Sequence, residues 1–273
     1  MRAERDEVHH ADPEGPSGTQ SVDRAMALLD LIGRRSVEGV SLSGLVAGSG
    51  LNKATVRRLV LALIRAGMVA QDEASRLYHL GDQAQVLGAM AAQRPGLARL
   101  AGESVMRLAQ EVGDAALLSV RRGASSLCLL REDGAYPIRT HALVPGQMHP
   151  LGVGAGSLAL LAALPEGERE EVMAANAAHL ARAFPHYAPR LPALVAETAA
   201  QGFALNPGLI FEGSWGMGVA LRHPGGRLAG ALSIAAVDSR MREARRPELL
   251  ERLRAEAARI ERKLAQVAPR QGG

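Results

Sequence analysis

The most constraining feature of the chain is the segment 41–80, SLSGLVAGSGLNKATVRRLVLALIRAGMVAQDEASRLYHL. Ser41 or Ser43 is placed to cap a short helix, because a side-chain oxygen just before the first turn satisfies an orphan N–H. That helix carries Leu42, Leu45 and Val46, and Gly48-Ser49-Gly50 stops it and turns the chain. Leu51 falls in the turn, where an apolar side chain pins two helices together. A second helix is predicted over 52–66, ended by Gly67. With Val56 taken as the inward direction, helical spacing puts Leu59, Val60 and Leu63 on the same face. The other side presents Ala54, Arg58 and Arg65, flanked by Lys53, Thr55 and Arg57. Two short extended runs follow, 68–71 and 76–80, with Asp72-Glu73-Ala74-Ser75 turning between them. Helix, turn, helix and hairpin make a winged helix-turn-helix.

A helix with an apolar back and a front of small, hydroxyl and guanidinium groups suits the major groove of DNA. Thr and Lys hold phosphates there, and Arg forks onto guanine O6 and N7. The competing reading is a two-helix hairpin with a merely solvated basic face. The wing, and three basic residues in the first two turns, favour duplex DNA. The expected DNA-contacting set is Asn52, Lys53, Ala54, Thr55, Arg57 and Arg58 from the helix and Arg76 from the wing.

Composition narrows the partners. The net charge of +4 favours a polyanion without establishing one. Aromatic residues make up 3% of the chain, so any pocket is expected to be lined mostly by aliphatic groups. One cysteine, Cys128 in SSLCLLRE, excludes an internal disulfide and a Cys-rich zinc site, and reads as a small buried hydrophobe. No stretch has the length and apolarity of a membrane span, and the first residues lack the apolar core of a signal peptide. The expectation is a cytoplasmic protein with no cofactor, no metal and no membrane partner.

The remaining order is α+β. Residues 1–19 are charged and contain Pro, Gly and Ser, and are expected to form a disordered tail. Ser21 is expected to cap a helix whose stripe is Val22, Ala25, Leu28, Leu29 and Ile32, completing a three-helix core with the pair above. A DNA-binding domain over 20–82 is then followed by a linker helix over 83–96, broken at Pro95-Gly96. The second domain, 97–268, begins with a helix over 97–112. Strands are expected over 115–120, 126–130 and 138–144. Short helices follow over 157–164, 166–176 and 190–201. Two more strands, 217–222 and 228–236, are joined by His223-Pro224-Gly225-Gly226, a hairpin signature. The last helix, 245–267, repeats apolar residues at three and four, a seam expected to lie on its own sheet rather than against a second copy. Residues 269–273 are a tail. The result is an antiparallel sheet with helices on its faces.

Between those elements lies QMHPLGVGAGSLALLAALP. GVGAG is not the GxGxxG of a dinucleotide site. Met148-His149-Pro150 before it is not read as a regular strand, and no GK[ST] follows. The glycines bring backbone N–H groups near a ligand, and a helix starting at Ser157 favours an anion there. His141 and His149 could contact such a ligand, or stand on its rim. Ser157 and Ser233 have no catalytic partner by motif. An enzyme that uses 152–156 as an anion cradle for a small acid is the alternative reading, and it lacks a base.

Several runs in order resemble the IclR family of bacterial transcriptional regulators. They are SVDRAMALLDLI, LNKATVRRLVLALIRAGMV and YHLG in the head, then HPLGVGAGSLALLAALP, QGFALNPGLIFEGSWGMGVAL and GGRLAGALSIAA. The match spans about 21–268. The resemblance implies a winged helix-turn-helix head, a linker helix and a GAF-like effector domain, bound to a double-stranded operator as a homodimer or homotetramer and switched by a small organic or aromatic acid. Carried over by position, the effector site would comprise Met148, Leu151, Gly154, Ala155, Asn206, Gly216, Ser233 and Ala235. Asn206 stands where the family usually has an acid, Gly216 where it has a thiol and Ala235 where it has a second serine. Fewer polar groups suit a larger or more apolar ligand, and Trp215 could stack on it or pack in the core.

Overall fold

The computed structural model describes residues 19–35, 38–92, 96–140 and 143–267. Both expected tails, the joint at Pro95 and His141 lie outside them, apart from Thr19. The chain divides between residues 94 and 95 into two compact units.

In the first unit α1 (Gln20–Gly33), α2 (Leu42–Ser49) and α3 (Lys53–Arg65) pack around one core. The core is made by Leu28 and Ile32 of α1, Leu45 of α2 and Val56, Leu59, Val60 and Leu63 of α3. Ser41 caps α2, accepting from Gly44 N at 3.1 Å, and Gly50 ends it at φ 66°. At α1 the expected cap is displaced. The helix already begins at Gln20, so Ser21 lies inside it and Thr19 holds the cap position without a side-chain hydrogen bond. After α3, β1 (Val69–Gln71) and β2 (Tyr78–Leu80) pair antiparallel, and Tyr78 also bridges to Val40. A further helix, α4 (Asp82–Ala92), closes the unit.

The second unit opens with α5 (Leu97–Val112). Its six-stranded antiparallel sheet contains β3 (Ala115–Arg122), β4 (Ser125–Glu132), β5 (Met148–Pro150), β6 (Ala204–Pro207), β7 (Ser214–Arg222) and β8 (Leu228–Val237). The order across the sheet is β5-β4-β3-β8-β7-β6. Strand alternation sends Leu118, Met217, Val219, Leu232 and Ile234 to one face. There α5 and α9 (Arg246–Val267) bury Val105, Leu108, Leu253 and Ile260 on them. The seam of α9 therefore lies on its own sheet. The opposite face receives α6 (Ala155–Ala162), backed by α7 (Glu166–Ala183) and α8 (Leu191–Gln201). No described helix is long and apolar enough to cross a membrane.

Two expectations for this sheet fail together. No strand forms among the described residues of 138–144, and Met148-His149-Pro150, expected to be irregular, is the edge strand. The cause is the turn at Pro145-Gly146. Gly146 N donates to Cys128 O at 2.9 Å and Gln147 O accepts from Cys128 N at 3.0 Å. The hydrogen bonds of the β4 edge are thus taken by 146–150.

Ion pairs fasten the α5 side. Asp114, 5% exposed, accepts from Arg240 Nε at 2.6 Å and Arg245 Nη1 at 2.8 Å. Glu256 on α9, 2% exposed, accepts from Arg107 Nε on α5 at 2.8 Å.

Candidate nucleic-acid interface and candidate ligand cavity

On the first unit, α3 is built to present its outer face. Asn52 Oδ1 accepts from Thr55 N at 2.9 Å, so this side chain starts the helix by occupying one of its free amides. The buried stripe of α3 faces α1 and α2, which leaves Lys53, Ala54, Arg57, Arg58 and Arg65 exposed and Thr55 half-buried. Among the described residues none of these four cations has an ion-pair partner, so their charge is available to an outside anion. The sequence reading missed one member of this face. Leu61 lies with Lys53, Ala54, Arg57, Arg58 and Arg65 around one shallow depression. Its place seven residues after Ala54, two helical turns on, was the available clue.

The wing is tightly turned. Asp72 Oδ1 accepts from Ser75 N at 2.7 Å and Ser75 Oγ at 2.6 Å, and these bonds hold its carboxyl below the usual range. Arg76 follows at φ 61°, a left-handed conformation held by Arg76 N to Asp72 O at 3.0 Å and Gln71 Nε2 to Arg76 O at 2.9 Å. The guanidinium of Arg76 is thus carried at the exposed tip of the hairpin.

On the second unit, a small cavity of about 80 Å³ lies between the sheet and the first turn of α6. Strand register aligns its floor. Asn206, Gly216 and Ala235 pair across β6, β7 and β8, and Ser233 and Leu117 pair across β8 and β3. The roof is Val153, Gly154, Ala155 and Gly156, at the end of α6 whose first amides have no intrahelical acceptor. α6 comes this close because β7 has glycine beneath it. A Cβ on Gly218 would stand 2.7 Å from Ala155 O, and one on Gly216 would stand 3.0 Å from Ala155 Cβ.

Of the residues carried over by position, Gly154, Ala155, Asn206, Gly216, Ser233 and Ala235 line this cavity. Met148 and Leu151 do not. Met148 is fixed in β5 opposite Leu127, and Leu151, 1% exposed, packs into the core beneath α6. At Gly216 Ala155 occupies the place a side chain would take, so the missing Cβ is filled by α6. His149, Phe211, Trp215 and Ser119 are further lining residues. Trp215 also lies 5.0 Å from the guanidinium of Arg246, so it serves both the cavity and the packing against α9.

The polar side chains of the lining are the hydroxyls of Ser119, Ser157, Ser214 and Ser233, the Asn206 amide and the His149 imidazole. No Asp, Glu, Lys or Arg contributes to it among the described residues. Asn206 is 5% exposed and its Oδ1 has no hydrogen-bond partner among the described residues, so a buried acceptor faces the cavity. Ser157 is occupied elsewhere. Its Oγ accepts from Gly152 N at 2.9 Å and donates to Pro150 O at 3.3 Å, so it staples the glycine loop. α6 starts at Ala155 rather than at Ser157. Cys128, packed behind the cavity-lining Leu117, is 1% exposed, and burial pushes its thiol up to about 11.

Comparisons with known proteins cover both units. Residues 21–73 match the IclR helix-turn-helix domain, and residues 89–262 match the bacterial transcriptional regulator IclR C-terminal domain. The HTH-type transcriptional regulator KipR of Bacillus subtilis (strain 168) is 26% identical over 246 residues, which is 90% of this chain and 97% of that protein. The crystal structure of an IclR transcriptional regulator from Alicyclobacillus acidocaldarius shares the fold, with a TM-score of 0.77 at 22% identity over 90% of this chain and 99% of that one. An IclR homolog from Microbacterium hydrocarbonoxydans, complexed with 4-hydroxybenzoate, has a TM-score of 0.71 at 25% identity over 89% of this chain and 98% of that one.

Proposed function

Because this chain belongs to the IclR family of bacterial transcriptional regulators, we propose that it is a ligand-responsive DNA-binding regulator whose effector is a small organic acid with an apolar or aromatic body. The observation that carries the DNA half is the outer face of α3, where Lys53, Arg57, Arg58 and Arg65 stand exposed without ion-pair partners among the described residues. In this reading Lys53 and Thr55 bind phosphates, Arg57 and Arg58 read guanine edges, and Arg76 on the wing contacts the adjoining backbone or groove.

The effector half rests on the cavity beside α6. A carboxylate set against the amides of Ala155 and Gly156 is held by the helix end and not by a charged side chain. A volume of about 80 Å³, well under the roughly 300–1,000 Å³ of drug-sized sites, suits a small metabolite. The apolar walls given by Leu117, Val153 and Trp215 suit a flat or aliphatic body. Asn206 Oδ1 adds a place for a hydroxyl or N–H donor. The complex of the Microbacterium hydrocarbonoxydans homolog with 4-hydroxybenzoate, an acid with a hydroxyl at its far end, supports the same class of ligand.

The protein acts as a homodimer or homotetramer. Two recognition helices on one face of B-DNA sit about 34 Å apart, one helical turn. A ligand that prefers one arrangement of the heads therefore changes operator affinity without touching α3. The test is a titration of the full chain with duplex fragments from around its own gene, at fixed salt, with and without 4-hydroxybenzoate and related acids. An acid that raises the melting temperature should shift operator affinity at least about fivefold. An acid that binds and leaves operator affinity unchanged would refute the coupling.

A further inference from the structure

We propose that Leu61 is a base-reading residue, contacting the C5-methyl group of a thymine in the operator. The inference rests on the reading of α3 as the recognition helix. Among the described residues of α3, Leu61 is the one large apolar side chain left exposed, at 46%, while Val56, Leu59, Val60 and Leu63 are all buried. Folding of the head does not require it, because the core is closed by those four. It is also not at the margin of the helix. Ala54 and Leu61 are two turns apart on one line, with Arg57 and Arg58 between them and Arg65 one turn beyond. The apolar group thus stands in the middle of a cationic face.

That combination selects its occupant. The cations commit the face to a polyanion, and a polyanion that also offers an apolar contact at the depth a leucine reaches is a duplex with its major groove open. In that groove the apolar feature of a base edge is the thymine methyl. A solvated basic surface would gain nothing from a half-exposed leucine at its centre. The rise of an α-helix, about 1.5 Å per residue, puts Leu61 about 6 Å along α3 from Arg57. Base pairs are spaced about 3.4 Å apart. The thymine should therefore lie within about two base pairs of the guanine that Arg57 reads. Ala54, on the same line one turn before Arg57, offers only a methyl and leaves room for the backbone to approach.

The experiment starts from duplexes enriched by the full chain from a random-sequence DNA library. Each thymine of the enriched site is replaced in turn by uracil, which removes the C5-methyl and nothing else, and affinity is measured at fixed salt. The proposal expects one thymine per half-site at which uracil costs about three- to fivefold in affinity, the scale of one buried methyl. Leu61→Ala should bind thymine and uracil duplexes equally at that position and respond as the wild type does elsewhere. Uracil that is tolerated at every position overturns the proposal, as does a methyl effect that persists in Leu61→Ala. A library that enriches no sequence overturns the recognition-helix reading itself, and Leu61 with it. Leu61 is exposed and its replacement should leave the melting temperature unchanged, and the uracil arm needs no protein variant at all.

Discussion

The hydroxyl of Tyr187 donates to the carbonyl oxygen of Gly152 at 2.6 Å, and Tyr187 is itself fully buried. The bond ties the segment before α8 to the loop that roofs the cavity. Gly152 is also held through its N–H by Ser157 Oγ, so both polar groups of one residue are fixed and the entry to α6 is set. Tyr187→Phe keeps the ring and removes the tether. It leaves a buried carbonyl unsatisfied, which costs about 1–3 kcal/mol. Thermal unfolding of the variant should show that loss. Calorimetric titration with the effector should show weaker binding, because the amides of Ala155 and Gly156 are no longer held in place.

Asn206 separates ligand binding from stability. Its Oδ1 is buried without a hydrogen-bond partner among the described residues, and a donor on a bound ligand would satisfy it. Asn206→Leu, of similar shape, should raise the stability of the ligand-free protein by about 1–2 kcal/mol. The same variant should lose most of the melting-temperature rise that an effector with a hydroxyl or N–H gives the wild type. A destabilised variant that still shows the full ligand shift would remove Asn206 from the site.

The parts legible in the sequence are those decided within a few residues. The limits of α5, Leu97–Val112, follow from its apolar spacing and from Gly113, and the stripe of α3 from its own periodicity. The β7–β8 hairpin follows from its turn. What was not legible depends on partners far along the chain. The β4 edge went to 148–150 because Cys128 bonds the turn at Gly146. Expected to end at residue 176, α7 runs on to Ala183, with Asn176 donating to Ala124 O at 2.8 Å across the fold. Leu151 and Ala155 are four residues apart, yet Leu151 packs into the core and Ala155, the first residue of α6, lines the cavity. Only the seating of α6 on Gly216 and Gly218 decides which. Leu61 was a different kind of miss, since its place on the outer face follows from spacing alone.

Replacing Lys53, Arg57 and Arg58 together with Ala should abolish operator binding at physiological salt and leave the melting temperature of the head unchanged, because all three are exposed. Three lost phosphate or base-edge contacts should also flatten the salt dependence, by roughly 2–3 in the slope of log K against log salt concentration. Arg76→Gly divides the effects differently. Glycine adopts φ 61° freely, so stability should rise by about 1 kcal/mol, while DNA affinity falls with the lost guanidinium. Filter binding and thermal melts on the same two variants check both.

Glu256 should give the second unit a defined acid sensitivity. Burial pushes its carboxyl up, and the hydrogen bonds from Arg107 together with the charges of Arg107 and Arg259 more than reverse this, leaving it below the usual carboxylate range. A carboxylate whose pKa is depressed in the folded state stabilises that state above its unfolded value. The contribution is fully present above the unfolded carboxylate value and is lost as pH falls through the lower folded one. Arg107 is 37% exposed, so solvent weakens the pair, and Glu256→Gln should cost about 1–3 kcal/mol at pH 7. The sign of the pH effect is the sharper test. Wild type and Glu256→Gln should differ in melting temperature at pH 7 and converge as the pH is lowered towards 3, because protonation does to the wild type what the amide does to the variant. A gap that stays constant across that range would mean that Glu256 acts by packing alone, and that the charge of Arg107 contributes nothing to holding α5 on α9.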